Sequence, residues 1–219
     1  LASGRVRYVG EPVALIVAER RYQAEDALEL VTVEYEPMPV YIDAETDPMI
    51  ALHDDAVDNV ASHFVMEKGD VTTAFAKAEH VTKLRFVTGR HSGVPLETRG
   101  LLAHYDLAQG RLRVWGPTKV THFNRGVLAH MLDMPESQIQ MIEPDIGGGF
   151  GVRGEFYPED HLIPYAALHL RRPVKWIEDR LENLIACNHS RQQVYEIELA
   201  LNRDGTILGV QVQLINDQG

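Results

Sequence analysis

The sequence predicts an α+β fold, and three observations carry that prediction. Alternating apolar runs joined by turn-forming residues mark two hairpins, around residues 101–115 and 194–215. A segment near the start reads as strand, strand, helix, strand, and an apolar stripe at helical spacing runs through residues 120–133.

Taken in order, Val6, Tyr8 and Val9, then Val13, Leu15, Ile16 and Val17, read as two short strands around the turn Gly10-Glu11-Pro12. Ala24, Ala27, Leu28 and Val31 fall at helical spacing, and Val31, Val33 and Tyr35 alternate as a further strand, which completes a unit over 5–43. Pro37, Pro39, Pro48 and scattered acids make Glu36 to Ser62 a loop-rich connector, and they place a domain boundary near residue 60. Beyond it Asp70 is positioned to cap a helix carrying Val71, Ala74, Phe75 and Ala78, with a strand from Val81 to Val87. The first hairpin pairs Leu101–Leu107 with Leu112–Trp115 across Ala108-Gln109-Gly110-Arg111. In residues 120–133 the spacing places Val120, Phe123, Val127, Leu128, Met131 and Leu132 on one helical stripe. Ile139-Gln140-Met141-Ile142 reads as a strand, and a stripe from Tyr157 through Leu170 as a helix that Pro164 should kink or delay. The last hairpin turns at Asn202-Arg203-Asp204-Gly205.

The 219 residues suffice for one large domain or two small ones, and 45% of them are hydrophobic. No apolar run approaches the roughly 20 residues that span a bilayer, so a membrane span is excluded. A net charge of −11 without a basic cluster disfavours nucleic acid, whose phosphates would be repelled. The single cysteine, Cys187, excludes an intramolecular disulfide or a CxxC metal site and fits a reducing, cytoplasmic setting. Cys187 itself is expected to be a small buried apolar residue. The start at Leu1, the absence of a signal-peptide pattern and the final Asp217-Gln218-Gly219 suggest a piece of a longer polypeptide.

The segment richest in chemistry is Ile146-Gly147-Gly148-Gly149-Phe150-Gly151. A backbone without Cβ atoms can bring successive N–H groups against an anionic or oxo ligand, although glycine clusters also serve tight turns and close crossings. The spacing matches neither a P-loop, which needs a Lys-Ser/Thr pair, nor GxGxxG opening a helix, so a nucleotide-binding domain is disfavoured.

The order of segments resembles the molybdenum hydroxylase family, which comprises xanthine dehydrogenase, aldehyde oxidase and carbon monoxide dehydrogenase large subunits. Arg5-Val6-Arg7-Tyr8-Val9-Gly10-Glu11-Pro12-Val13-Ala14 and Val33-Glu34-Tyr35-Glu36-Pro37-Met38-Pro39 look like the end of its a/b hammerhead domain. Gly69-Asp70, Pro95-Leu96-Glu97-Thr98, Trp115-Gly116-Pro117-Thr118-Lys119 and the glycine loop follow in the family's order. The resemblance implies that residues 1–60 end a hammerhead unit plus connector, and that 61–219 begin a mixed-sheet molybdopterin-binding domain. It implies cofactor contacts from Gly148, Gly149, Phe150 and Gly151, the amide near the phenylalanine lying close to the metal's apical ligand. It further implies molybdenum-molybdopterin, in its cytosine dinucleotide form, with iron–sulfur clusters and FAD on partner domains or subunits. The partners it implies are the rest of the large subunit, iron–sulfur and flavin subunits, and a small-molecule substrate: an aldehyde, an N-heterocycle or carbon monoxide.

Two positions depart from the family. Pro117-Thr118-Lys119 stands where many relatives have Ser-Thr-Gln, so Lys119 is either a charged replacement for a glutamine that reaches an oxo group, or a surface lysine. Val152-Arg153 follows the loop where Gly-Lys is common, and Arg153 keeps the charge. The family's base is a late glutamate that lies outside this sequence, so no catalytic residue is assigned here and the isolated chain is expected to be inactive. The alternative is a non-catalytic interaction module that retains the fold, to which the change at Lys119 points.

Other candidates receive structural readings. His122 and His130, or His161 and His169, lack HExxH spacing, and no metal ligand is expected among the ten histidines. Asp160-His161 is expected to be a helix-surface pair. Glu97 beside Arg99 is read as a lining of the substrate funnel or as part of a structural ion pair, and Trp115 and Trp176 as core or interface anchors.

Overall fold

The computed structural model describes residues 1–56, 58–116 and 119–218, and the chain forms two compact units, each discontinuous in sequence. One comprises Leu1–Glu34 and Ser92–His189, the other Tyr35–His91 and Ser190–Gly219. The α+β expectation holds: helices accompany one antiparallel and one mixed sheet.

The first unit opens with α1 (Arg21–Leu28), and the segments around it are extended without forming ladders. The strands expected within 5–18 and 31–35 are therefore absent among the described residues; a strand exists through its neighbour, and here none is supplied. An isolated bridge between Ser3 and Arg5 is the remnant. Apolar side chains such as Val9 and Leu30 consequently remain exposed.

The same unit's sheet contains β2 (Gly100–Asp106), β3 (Arg111–Trp115), β4 (Ile139–Ile142) and β5 (Val174–Ile177) in the order β4-β3-β2-β5; β1 belongs to the other unit. β2 pairs antiparallel with both β3 and β5, while β3 and β4 run parallel. Alternation puts Leu101, Ala103, Leu112, Val114, Ile139 and Val174 in the core, because successive side chains of a strand point to opposite faces. Over them lie α3 (Thr121–Leu132) and α4 (Pro158–Leu170), whose Leu128, Ile163 and Ala167 complete the cluster.

The stripe read at 120–133 lies on α3 and is only partly covered: Leu128 is buried, whereas Phe123 and Met131 are 69% and 50% exposed. Helical α4 begins at Pro158 and contains Pro164, buried, without a later start. Proline at the first helical position removes an N–H that has no helical partner anyway, whereas Pro164 removes one bond to the Asp160 carbonyl. A short helix α5 (Arg180–Ala186) is capped by Asp179, which accepts from Glu182 N–H at 2.7 Å.

The second unit holds α2 (Val71–Lys77) and a fully antiparallel sheet, β1 (His80–Thr88), β6 (Gln192–Leu201) and β7 (Ile207–Asp217), in the order β1-β6-β7. Asp70 caps α2 as expected, accepting from Thr73 N–H at 2.9 Å. Helix α2 lies against β7 at Gly209, where an added Cβ would stand 3.0 Å from Ala74 Cβ. Registration puts Leu84, Phe86, Tyr195, Ile197, Val212 and Leu214 on one face, with Lys83, Arg85, Glu196 and Glu198 on the other. Residues 36–62 form no helix or ladder among those described, which fits the connector reading.

Candidate functional site

Strand β4 ends at Ile142 and hands the chain to the glycine loop, which closes into a short 3-10 turn at Val152–Gly154. Gly148 and Gly151 have φ of +101° and +92°, a backbone region that side chains rarely enter. Phe150 also lies there, at φ +49°, and a residue with a side chain held in that region costs on the order of 1–3 kcal/mol. Its ring is 79% exposed.

The backbone bonds of the loop close inward at its ends: Val152 N–H donates to the Gly149 carbonyl at 3.0 Å, and Gly154 N–H to that of Gly151 at 2.9 Å. Gly147 N–H donates to Glu97 Oε2 at 2.7 Å. Among the described residues, no acceptor faces the N–H groups of Gly148, Gly149, Phe150 and Gly151. Such donors are left for solvent or a ligand.

Gly149, Phe150 and Gly151 border an open depression of about 260 Å³ whose walls also carry Lys119, Ile146, Glu143 and Arg153. The structure thus brings four of the five expected site residues to one cavity, while Gly148 shapes the loop without lining it. Lys119 is held by its backbone, its N–H donating to the Arg153 carbonyl at 3.3 Å. Its side chain crosses Gly154, where an added Cβ would meet Lys119 Cδ at 3.2 Å. Pro117 and Thr118, part of the departure from the family pattern, lie outside the described residues.

Arg153, read from sequence as a retained charge after the loop, is 4% exposed. Its Nη2 donates to the Glu97 carbonyl, Glu97 Oε2 and the Thr98 carbonyl at 2.6, 3.0 and 3.0 Å. Nε and Nη1 are buried without an acceptor among the described residues. The sequence did not single out this pairing or Glu143; only the adjacency of Glu97 to a motif hinted at it.

Beside the loop stands a second polar group centred on Arg99. Its Nε and Nη2 donate to Glu178 Oε1 at 3.0 and 2.6 Å, and Nη1 to Glu159 Oε2 at 3.1 Å. The guanidinium stacks 3.8 Å from the Tyr157 ring centre, with Trp176 5.3 Å away. Glu97 and Arg99 are therefore not partners; each has its own ion pair. Burial pulls the Arg99 guanidinium down, but Glu178 and Glu159 outweigh it and hold the charge. Burial likewise pushes Glu178 up, and its bonds to Arg99 overcome that and lower it.

Cys187 is buried as expected, though among polar groups, its Sγ accepting from Asn183 Nδ2 at 2.8 Å. Asp160 is no surface partner of His161: it caps α4 by accepting from Tyr157 N–H at 2.8 Å, and burial raises its carboxyl to about 6. His161 and His169 instead flank the Tyr165 ring, at 5.7 and 5.0 Å. No helix among the described residues is long and apolar enough to cross a membrane.

Comparison with known proteins agrees with this geometry. A model of the molybdopterin cofactor-binding domain matches residues 52–219, and one of the aldehyde oxidase and xanthine dehydrogenase a/b hammerhead domain matches residues 1–39. The chain is 42% identical to the gamma subunit of the 6-hydroxypseudooxynicotine dehydrogenase complex of Paenarthrobacter nicotinovorans, over all of this chain and 28% of that protein. It is 37% identical to the carbon monoxide dehydrogenase large chain of Afipia carboxidovorans, over all of this chain and 29% of that one. The crystal structure of quinoline 2-oxidoreductase from Pseudomonas putida 86 superposes with a TM-score of 0.91 at 38% identity, covering 99% of this chain and 28% of its own. The chain thus spans less than a third of the length of these relatives. With a matching model over residues 52–219, most of its length, the chain belongs to the molybdopterin cofactor-binding domain family.

Proposed function

We propose that this chain is the part of a molybdenum hydroxylase large subunit that cradles one side of the molybdopterin cofactor. The observation that carries the reading is the row of amides from Gly149 to Gly151, without acceptors among the described residues, at the edge of a cavity that Lys119 and Arg153 also line. The cofactor is anionic and its oxo groups accept hydrogen bonds, so a preorganised set of donors suits it. At Gly149 the protein leaves room beside the cavity, since an added Cβ there would meet only Arg153, at an ordinary contact distance of 3.9 Å.

When bound, the cofactor supplies the redox chemistry by which oxygen from water enters a C–H bond. The residues of this chain bind and orient it: the amides of Gly149, Phe150 and Gly151 as donors, Gly148 as the bend before them, Lys119 as a nearby cation. Among an aldehyde, an N-heterocycle or carbon monoxide as substrate, the relatives named for 6-hydroxypseudooxynicotine and quinoline favour an N-heterocycle. Partner subunits carrying iron–sulfur clusters and a flavin are part of the proposal, supported by a relative that is a subunit of a complex, as are the cytosine dinucleotide form of the cofactor and a cytoplasmic location. Residues 1–60 are assigned to the end of the hammerhead domain with its connector and 61–219 to the cofactor domain, a division supported by the two matched ranges.

The test is Gly149→Val in the intact subunit. Side-chain atoms added there enter the depression, so the expected result is a correctly folded subunit that has lost most of its molybdenum, measured by elemental analysis. Full molybdenum content would remove the loop from the cofactor site.

A further inference from the structure

The glycine loop is anchored at both ends by one residue from a distant segment. Glu97 Oε2 accepts from Gly147 N–H at 2.7 Å, where the loop begins, and from Arg153 Nη2 at 3.0 Å, where it ends. Two more bonds run alongside: Arg153 Nη2 to the Glu97 carbonyl at 2.6 Å, and Glu97 N–H to the Gly147 carbonyl at 3.3 Å. The fit is tight, since a Cβ on Gly147 would stand 2.6 Å from Glu97 Cβ. Between these anchors lies Phe150, whose left-handed backbone persists only if its surroundings over-determine it.

We propose that Glu97 and Arg153 form a clasp that holds the donor amides in place, making both positioning residues for the ligand of the loop. This rests on the reading of that loop as a cofactor site. The clasp has an electrostatic part as well as a geometric one. Arg153 is almost wholly buried, whereas the Glu97 side chain is half exposed beside the loop. An unpaired carboxylate there would repel an anionic cofactor, and the guanidinium cancels that charge from the inside. All three acceptors are met by Nη2 alone, so a lysine ammonium, a single nitrogen with three donors, keeps the charge and can replace part of the set.

The experiment uses the intact large subunit with its partner subunits and four variants: E97Q, R153K, R153M and the double variant E97Q/R153M. Two quantities are read, hydrogen exchange of the bonded amides of Val152 and Gly154 that close the loop, and molybdenum per subunit. A bond to a charged partner stabilises enough that its loss should speed loop exchange about tenfold or more. Both E97Q and R153M should do this and lose molybdenum, the double variant should fall no further than the worse single, and R153K should recover part of the loss. Unchanged loop exchange in E97Q and R153M overturns the clasp. So does exchange that rises equally in the loop and in the core strands, because that marks a general loss of stability. If loop exchange rises while molybdenum stays at the wild-type level, the clasp stands and the cofactor reading of the loop fails. If Gly149→Val empties the site while E97Q and R153M leave the loop unmoved, the cofactor reading stands and the clasp fails.

Discussion

Arg99 illustrates why charge can be buried beside the site. Glu178 answers it with both carboxylate oxygens, one accepting from the Arg99 side chain and the other from its backbone N–H at 3.0 Å. The pair is a structural commitment, because removing Glu178 leaves the buried Arg99 guanidinium with Glu159 alone and strips the acceptor from its Nε, Nη2 and backbone N–H. Glu178→Ala should therefore destabilise the intact subunit by about 3–5 kcal/mol, read as a lower urea midpoint. Asp160 gives a pH dependence of defined sign. Its folded carboxyl binds a proton at about 6 against an ordinary 3.8, so protonation favours the folded state. The stability it contributes below about pH 4 is lost as pH rises through 6, on the order of 3 kcal/mol. Asp160→Asn, which keeps an acceptor for Tyr157 N–H, should gain stability over the wild type at pH 8 relative to pH 4. Denaturation midpoints at the two pH values check this, and an equal difference at both would contradict it.

At the scale of elements, packing is decided where backbones come close. Gly209 is the point at which α2 meets β7, with Ala74 and the Phe75 ring against it. Gly209→Leu should cost about 1–3 kcal/mol by overpacking, and should release α2 first, seen as faster hydrogen exchange over Val71–Lys77. That helix, its Asp70 cap and both hairpins were legible in the sequence because each depends on neighbours in the chain: a carboxylate before an apolar stripe, or Asp-Gly between alternating runs. The segments at 5–18 have equally good alternation and yet form no ladder, since a strand needs a partner and periodicity does not supply one. Helix α3 was legible as a stripe, but how much of that stripe is covered depends on what packs there, and Phe123 is left outside. The site divided the same way: glycines and Phe150 announced a donor loop, whereas the Glu97–Arg153 pairing joins residues 56 positions apart and left no local signature.

Over the whole molecule, the notable quantity is exposed apolar surface. Leu96 and Met66 are 93% and 85% exposed, and one face of the β1-β6-β7 sheet presents Leu84, Phe86, Val212 and Leu214, each about half exposed. Soluble domains rarely leave contiguous apolar faces uncovered. The 219-residue chain prepared alone should associate and bind a hydrophobic dye, and it should turn over no substrate, because the chain spans less than a third of its relatives. Monodisperse, dye-free behaviour in sedimentation and fluorescence would contradict this. The central claim, that amides around Phe150 face the cofactor, is tested most directly by a crystal structure of the intact, cofactor-loaded subunit. The account predicts a cofactor oxygen or sulfur within hydrogen-bonding range of at least one of the three N–H groups from Gly149 to Gly151, about 2.7–3.2 Å for an oxygen acceptor. A loop whose amides are all satisfied by protein atoms, with the cofactor out of contact, would contradict it.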